Sequence, residues 1–189
     1  MNKINTAGLI LFIGVAQFLL AMIIAEALYP SYSVSHNYIS DLGVGPVAPI
    51  FNTSIIIMGI LLIIAAILLG IGQKGLPIVL TRVLPITLGL AGIGAMGVGI
   101  FPETIHPYHL ISALIVFLFS SISSYPTIKI SRSPGKILWP ILGTMGLIAL
   151  ILFITGTYLG LGPGGMERMI TYPNLIWALA FGTELMNYK

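Results

Sequence analysis

Apolar residues run almost unbroken through six stretches of the chain, at about 7–28, 50–71, 83–100, 110–126, 137–159 and 169–185. A helix rising 1.5 Å per residue needs roughly 20 apolar residues to cross the hydrocarbon core of a bilayer. Each stretch therefore predicts a membrane-spanning helix. Shorter segments separate them, at 29–49, 72–82, 101–109, 127–136 and 160–168. Three carry strong breakers: Gly75-Leu76-Pro77, Ser133-Pro134-Gly135 and Gly162-Pro163-Gly164-Gly165. The expected fold is all-α, a polytopic six-transmembrane-helix bundle forming a single integral membrane domain over 1–189. No convincing internal repeat accompanies the pattern. The start of the chain, Lys3 followed by an apolar run ending in Ala25-Glu26-Ala27, also has the outline of a secretory leader. That run exceeds the roughly 7–15 residues of a leader's apolar segment, so it is read as a retained first helix.

Composition sharpens this picture. Lys, Arg, Asp and Glu together make up 7% of the chain, 57% is hydrophobic, and the mean hydropathy is +1.06. A soluble domain carries about 25% charged residues, so this chain cannot cover a water-facing surface. The net charge of +3 comes without a basic stripe or a polar scaffold, which leaves no nucleic-acid partner to expect. Cysteine is absent, which excludes disulfides, thiol redox chemistry and thiolate metal sites.

The charges sort by side. Lys3, Lys74, Arg82, Lys129, Arg132, Lys136 and Lys189 fall at one end of the predicted bundle, and Arg168 alone at the other. Cytoplasmic connections are enriched in Lys and Arg, so the expected topology is N-in/C-in in the cell membrane, with both termini cytoplasmic. Acids and histidines sort the opposite way. Glu26, His36, Asp41, Glu103, His106, His109 and Glu167 lie toward the outer side, and only Glu184 lies inside.

Within the helices, the third carries Ala91, Ala95 and Gly99 at four-residue spacing. Such a stripe lets a neighbouring helix approach closely, or lines a ligand. Thr87, Ser112, Ser120, Ser121, Ser123 and Thr155 are the main polar groups inside apolar runs, and hydroxyls there can bond their own helix carbonyls.

Candidate chemistry concentrates in the outer connections. The first contains Ser33-Val34-Ser35-His36-Asn37-Tyr38-Ile39-Ser40-Asp41-Leu42-Gly43-Val44-Gly45-Pro46 and is long for a helix connection. It is expected to fold back onto the bundle. Ser40-Asp41 suits either a turn or cap ahead of Gly43, or a reactive carboxyl. The second reads Phe101-Pro102-Glu103-Thr104-Ile105-His106-Pro107-Tyr108-His109. Pro107 fits the first position of helix four, which places His106 at the cap and His109 in the first turn. Such imidazoles suit a shared divalent metal completed by Asp41, acid–base work, or interfacial anchoring. In the third, Glu167 would sit against the positive end of helix six, and Arg168 would form either a salt bridge or a fork for an anionic headgroup. Glu26, about a turn inside helix one, is either a partner for these histidines or a boundary marker.

The pattern from Ser35 to Gly43, the Phe101-Pro102 turn, the His-bearing start of helix four and the late Glu167-Arg168 resemble a six-helix family of archaeal and bacterial membrane proteins, domain of unknown function 998. The resemblance covers essentially the whole chain. Tyr38-Ile39-Ser40-Asp41 followed by Gly43 is also similar to the first-loop signature of the DRAM-like membrane proteins. Those too have six helices and a His at the start of helix four. This second resemblance implies a lipid-related role through a short motif, and the intervening helices depart from it.

The functional expectation is an outward-facing polar pocket that binds or modifies a membrane lipid or lipid-linked headgroup. Asp41, His106 and His109 would form its chemical centre. His36, Ser40, Glu103, Glu167 and Arg168 would hold substrate, and a divalent metal on the His–carboxylate cluster would make it a hydrolase. The alternatives are a small transporter or lipid flippase, for which midplane charges are missing, and a non-enzymatic scaffold. Oligomeric state is not encoded in any pattern found.

Overall fold

A computed structural model describes residues 2–71 and 76–188. Lys74, Gly75 and Lys189, used above as topology and turn signals, lie outside the described residues. Six long helices are present, α1 (Lys3–Leu28), α2 (Ala48–Gly70), α3 (Leu84–Ile100), α4 (His106–Ser123), α5 (Gly135–Ile154) and α6 (Gly162–Met186), with no strand among the described residues. The connections fold into single turns at Ser40–Gly43 and Pro126–Lys129, and a π-helical turn at Val79–Val83 leads into α3.

Each helix packs on its neighbours in sequence, and α6 returns to α1, so the six form a closed ring. The main apolar core draws on α1, α2, α3 and α6, and a smaller cluster of Ala149, Leu150, Met166 and Ile170 joins α5 to α6. α1–α5 each contain a window apolar enough for a membrane span. Exposed Ile23, Ile24, Ile57, Ile60, Ile137, Ile141, Ile148 and Ile151 show why: the outer faces are as apolar as the inner ones.

The ring closes through glycine. A Cβ on Gly59 of α2 would lie 2.6 Å from the carbonyl of Gly92 on α3, and one on Gly92 2.7 Å from that of Gly59. Gly8 and Gly182 make the same contact between α1 and α6, with a Cβ on Gly8 2.6 Å from the Gly182 carbonyl. Gly94 and Gly97 turn the other way, onto Ser112 of α4. The small residues of α3 thus serve two neighbours at once, while Ala91 faces the interior of the ring. The in-helix hydroxyls bond their own carbonyls as expected: Ser112 donates to the Tyr108 carbonyl (2.7 Å) and Ser120 to that of Val116 (2.6 Å).

Three boundaries differ from the hydrophobic pattern in an informative way. α5 ends at Ile154, five residues early, because Gly156 takes φ +70° and closes the helix: Thr157 N–H donates to the Leu152 carbonyl, and Gly156 N–H to that of Phe153. α4 begins at His106, with Pro107 in its first turn as the spacing implied. α6 begins at Gly162, seven residues early, so the glycines taken as breakers form its first turn. They are packing positions. The backbone of the first connection lies directly on them: a Cβ on Gly164 would collide with the Asn37 carbonyl and one on Gly162 with that of Ser35, and Gly164 N–H donates to Ser35 O at 3.0 Å.

The connections 29–47, 101–105 and 155–161 share one end of the ring, here the polar end. The basic end holds the start of α1, the last turn of α6 and the 124–134 connection. There the Glu184 carboxyl accepts bonds from Ser131 Oγ (2.8 Å), Arg132 N–H (2.8 Å) and the Trp139 indole (3.0 Å). Asn5 Nδ2 donates to the carbonyls of Leu185, Met186 and Tyr188, tying the two ends of the described chain together.

Candidate functional site at the polar end

The early start of α6 decides the site. Glu167 and Arg168 do not flank a helix N-terminus. They sit in its second turn, 5% and 3% exposed, under the first connection. Buried charges must be paired or hydrogen-bonded, and each finds partners on segments far away in sequence.

Arg168 is a clamp. Its Nη2 reaches Glu26 Oε1 and the Tyr32 hydroxyl, each at 2.5 Å, and its Nη1 donates to the carbonyls of Val34 (3.0 Å), Asn37 (3.2 Å) and Gly164 (2.9 Å). One guanidinium therefore holds the first connection against α1 and α6. Burial pushes the Tyr32 phenol up to about 12, so it stays protonated beside the cation. Arg168 lines none of the cavities described below; both Nη atoms are committed to the protein rather than to an anionic headgroup, and the buried Nε has no partner among the described residues. Glu26, expected near the histidines or at the boundary, is its counter-ion.

Glu167 lies on the opposite side of that clamp. Its Oε2 accepts the Ile39 N–H at 2.5 Å, and no donor among the described residues reaches Oε1. Asp41 sits in the Ser40–Gly43 turn, where its Oδ2 accepts from Asn37 Nδ2 (2.8 Å) and Tyr38 N–H (3.0 Å). The turn presents Ser40 Oγ to Glu103 Oε1 at 2.5 Å. Asp41 lies beside Glu103, and the two carboxyls border one space on the outer side of the turn. Burial first, and the Asp41 charge with it, push the Glu103 carboxyl above the usual range.

Of the histidines, His109 is half-buried, with Nδ1 2.8 Å from the Phe101 carbonyl. His106 is exposed at the rim of the same pocket, and His36 is exposed on the first connection beside Ser33 Oγ (3.0 Å). Asp41, His106 and His109 do not converge on one point: among the described residues no three His, Asp or Glu side chains form a group that could hold a metal ion. The reason is local, since the turn aims Asp41 at Asn37, Tyr38 and Glu103, and the Phe101 carbonyl occupies His109.

Two cavities meet at this cluster. α4 and α5 touch in their basic halves, where Gly143 and Gly146 lie against Ser121 and Ser124 and the Tyr125 hydroxyl meets Thr144 Oγ1 at 2.8 Å. Toward the polar end a pocket of about 440 Å³ lies between them. Leu110, Ala113, Phe117 and Phe153 form its apolar wall, and Tyr38, Ser40, Glu103, His106, His109 and Glu167 its polar one. Leu110, on the α4 side, is 58% exposed. Inside the ring, a second and almost wholly apolar cavity of about 80 Å³ follows the axis between α1, α2, α3, α4 and α6. Ser40, His109, Ala113, Phe117 and Glu167 border both. A third space of about 320 Å³, lined by Tyr29, Asp41, Val44, Glu103 and Thr104, lies on the other side of the carboxyl pair.

The sequence reading missed several of these residues. Tyr32, Phe117 and Phe153 look like ordinary apolar or interfacial residues and gave no signal. Gln17, whose Nε2 bonds Ser54 O across to α2 (2.9 Å), and Asn174, whose Nδ2 bonds Ser121 Oγ (2.9 Å), were legible: an amide inside an apolar run is itself a cue to a helix–helix contact.

Five apolar spans, a sixth helix closing the ring, and ionisable groups gathered at the ends define a multi-pass membrane protein. The family model described as Protein of unknown function (DUF998) matches residues 12–184, and the chain belongs to that family. No curated protein and no solved structure matches it.

Proposed function

We propose that this protein binds a membrane lipid or lipid-linked molecule in the cleft between α4 and α5, with the headgroup against Ser40, Glu103, His109 and Glu167. The observation that carries the proposal is the amphipathic lining of that cleft: one wall is aliphatic and aromatic, the other bears carboxyls, a hydroxyl and imidazoles. Ligand sites combine an apolar wall with a few convergent polar groups in this way. The cleft lies between two helices whose outer faces are apolar, so a ligand can enter sideways from the bilayer. Any chemistry on the bound molecule falls to Glu103, with Asp41 beside it, and to His109, the side chains nearest the headgroup position that can exchange a proton. In this reading the polar end faces outward and both termini face the cytoplasm, as the distribution of Lys and Arg directs.

The test is mass spectrometry of lipid carried by purified protein, comparing wild type with Ala113→Phe, which fills the point where the two cavities meet. A bound lipid present in wild type and absent from a folded Ala113→Phe protein supports the proposal. Equal retention in both refutes it. A flippase reading draws on a different observation, the axial cavity with Ser120, Thr171 and Asn174 on its wall. It requires lipid movement between leaflets in reconstituted vesicles.

A further inference from the structure

We infer that the headgroup this cleft selects carries an ammonium: the ligand class is a cationic or amine-bearing amphiphile, not a purely anionic one. The inference rests on the amphiphile-binding reading above and adds the charge of the ligand. Four of the five acidic residues of the chain, Glu26, Asp41, Glu103 and Glu167, are at the polar end, with one Arg. Glu26 and Arg168 neutralise each other at 2.5 Å and stay out of the cleft. Three carboxyls then remain, with no free Lys or Arg among the residues lining any of the three cavities. A phosphate or sulfate bearing no amine would meet these carboxyls with no Lys or Arg to offset them, and only the hydroxyls of Tyr38 and Ser40 and the imidazoles of His106 and His109 as donors.

An independent observation points into the cleft. Glu167 is 5% exposed, yet one of its carboxyl oxygens has no donor among the described residues, and its side chain borders both cavities. An acceptor left open on a cavity wall in this way matches a ligand N–H. The aromatic surround fits the same cation. Tyr38 and Phe153 both line the cleft and meet edge to face at 5.7 Å, and ring faces attract ammonium groups. Bound so, the headgroup would sit between Glu103 and Glu167. The chain would pass Ala113 and Phe117 into the axial cavity, which Trp177 also lines.

Trp177 supplies the readout. The chain has two tryptophans, and the other, Trp139, lies near the basic end on Glu184. The experiment uses the full-length Trp139→Phe protein in maltoside micelles. It is titrated with a primary alkylamine and an alkyl sulfate carrying the same brominated chain, a short-range quencher of indole fluorescence. The expected result is saturable quenching of Trp177 with the amine binding about tenfold more tightly than the sulfate, the scale of one charge-assisted hydrogen bond. That preference should disappear in Glu167→Gln, whose amide oxygen can still accept the Ile39 N–H. Glu103→Gln gives a second reading should Glu167→Gln fail to fold, as judged by its thermal midpoint. Equal quenching by amine and sulfate overturns the ammonium inference and leaves the amphiphile cleft standing. Absence of quenching by either overturns the cleft itself.

Discussion

Replacing Arg168 by Met removes a guanidinium that touches α1, α6 and three points of the first connection. The side chain is 4% exposed, and that of its partner Glu26 16%, so neither charge is well solvated. The substitution strands the Glu26 carboxylate. It also takes a donor from the carbonyls of Val34 and Asn37, which lie outside regular structure. Breaking a buried ion pair from one side costs about 3–5 kcal/mol. For a chain of this length, that corresponds to a fall in thermal midpoint of about 10 °C. The damage should be local at first, because the Gly59–Gly92 and Gly8–Gly182 contacts that close the ring do not involve Arg168. The assay is thermal unfolding in micelles, together with limited chymotrypsin digestion at Tyr29, Tyr32 and Tyr38. Cleavage in the first connection should accelerate well below the midpoint. The double variant Glu26→Gln/Arg168→Met, with no stranded charge, should recover more than half of the loss. A single variant that melts within about 2 °C of wild type and resists protease equally would refute the clamp.

Other consequences can be checked more quickly. Gly92→Val should cost about 1–3 kcal/mol or more, as its Cβ would meet Gly59 O at 2.7 Å and Ile63 Cγ1 at 2.9 Å, whereas Gly89→Ala meets only Ala66 Cβ at 3.8 Å and should melt at or above wild type. Glu103 holds its proton more tightly folded than unfolded, so its ionisation takes stability away as pH rises from the ordinary carboxylate range. Midpoints of wild type measured against pH should therefore fall relative to Glu103→Gln on going to neutral pH, and parallel curves would contradict the burial of that carboxyl. Glu184→Leu removes the acceptor for Ser131, Arg132 N–H and the Trp139 indole. It should cost about 1–3 kcal/mol and shift Trp139 fluorescence, while leaving lipid retention at the polar end unchanged.

Much of the architecture was legible before any coordinates. Backbone polar groups cannot be left bare in hydrocarbon, so each long apolar run has to be a helix, and its length is a local property of the chain. Breakers and basic residues then order the runs into alternating directions and gather Lys3, Arg82, Lys129, Arg132 and Lys136 at one end. Two kinds of information were out of reach. Glycines near an end read as stops, yet Gly162 and Gly164 begin α6, because the backbone that presses on them comes from the first connection, more than a hundred residues earlier. The pairing of polar groups was equally hidden. Helices apolar on every face carry no stripe that reveals how each is turned about its axis. Nothing local says that Arg168 meets Glu26 and not an outside anion, that Glu167 meets Ile39, or that α4 and α5 part toward one end to leave a cleft. Six helices with sorted ends, five of them long and apolar enough to span, follow from the sequence by itself. Which carboxyls are neutralised, and which is left facing a cavity, only the tertiary structure decides, because it sets the rotation and order of helices that the bilayer alone leaves free.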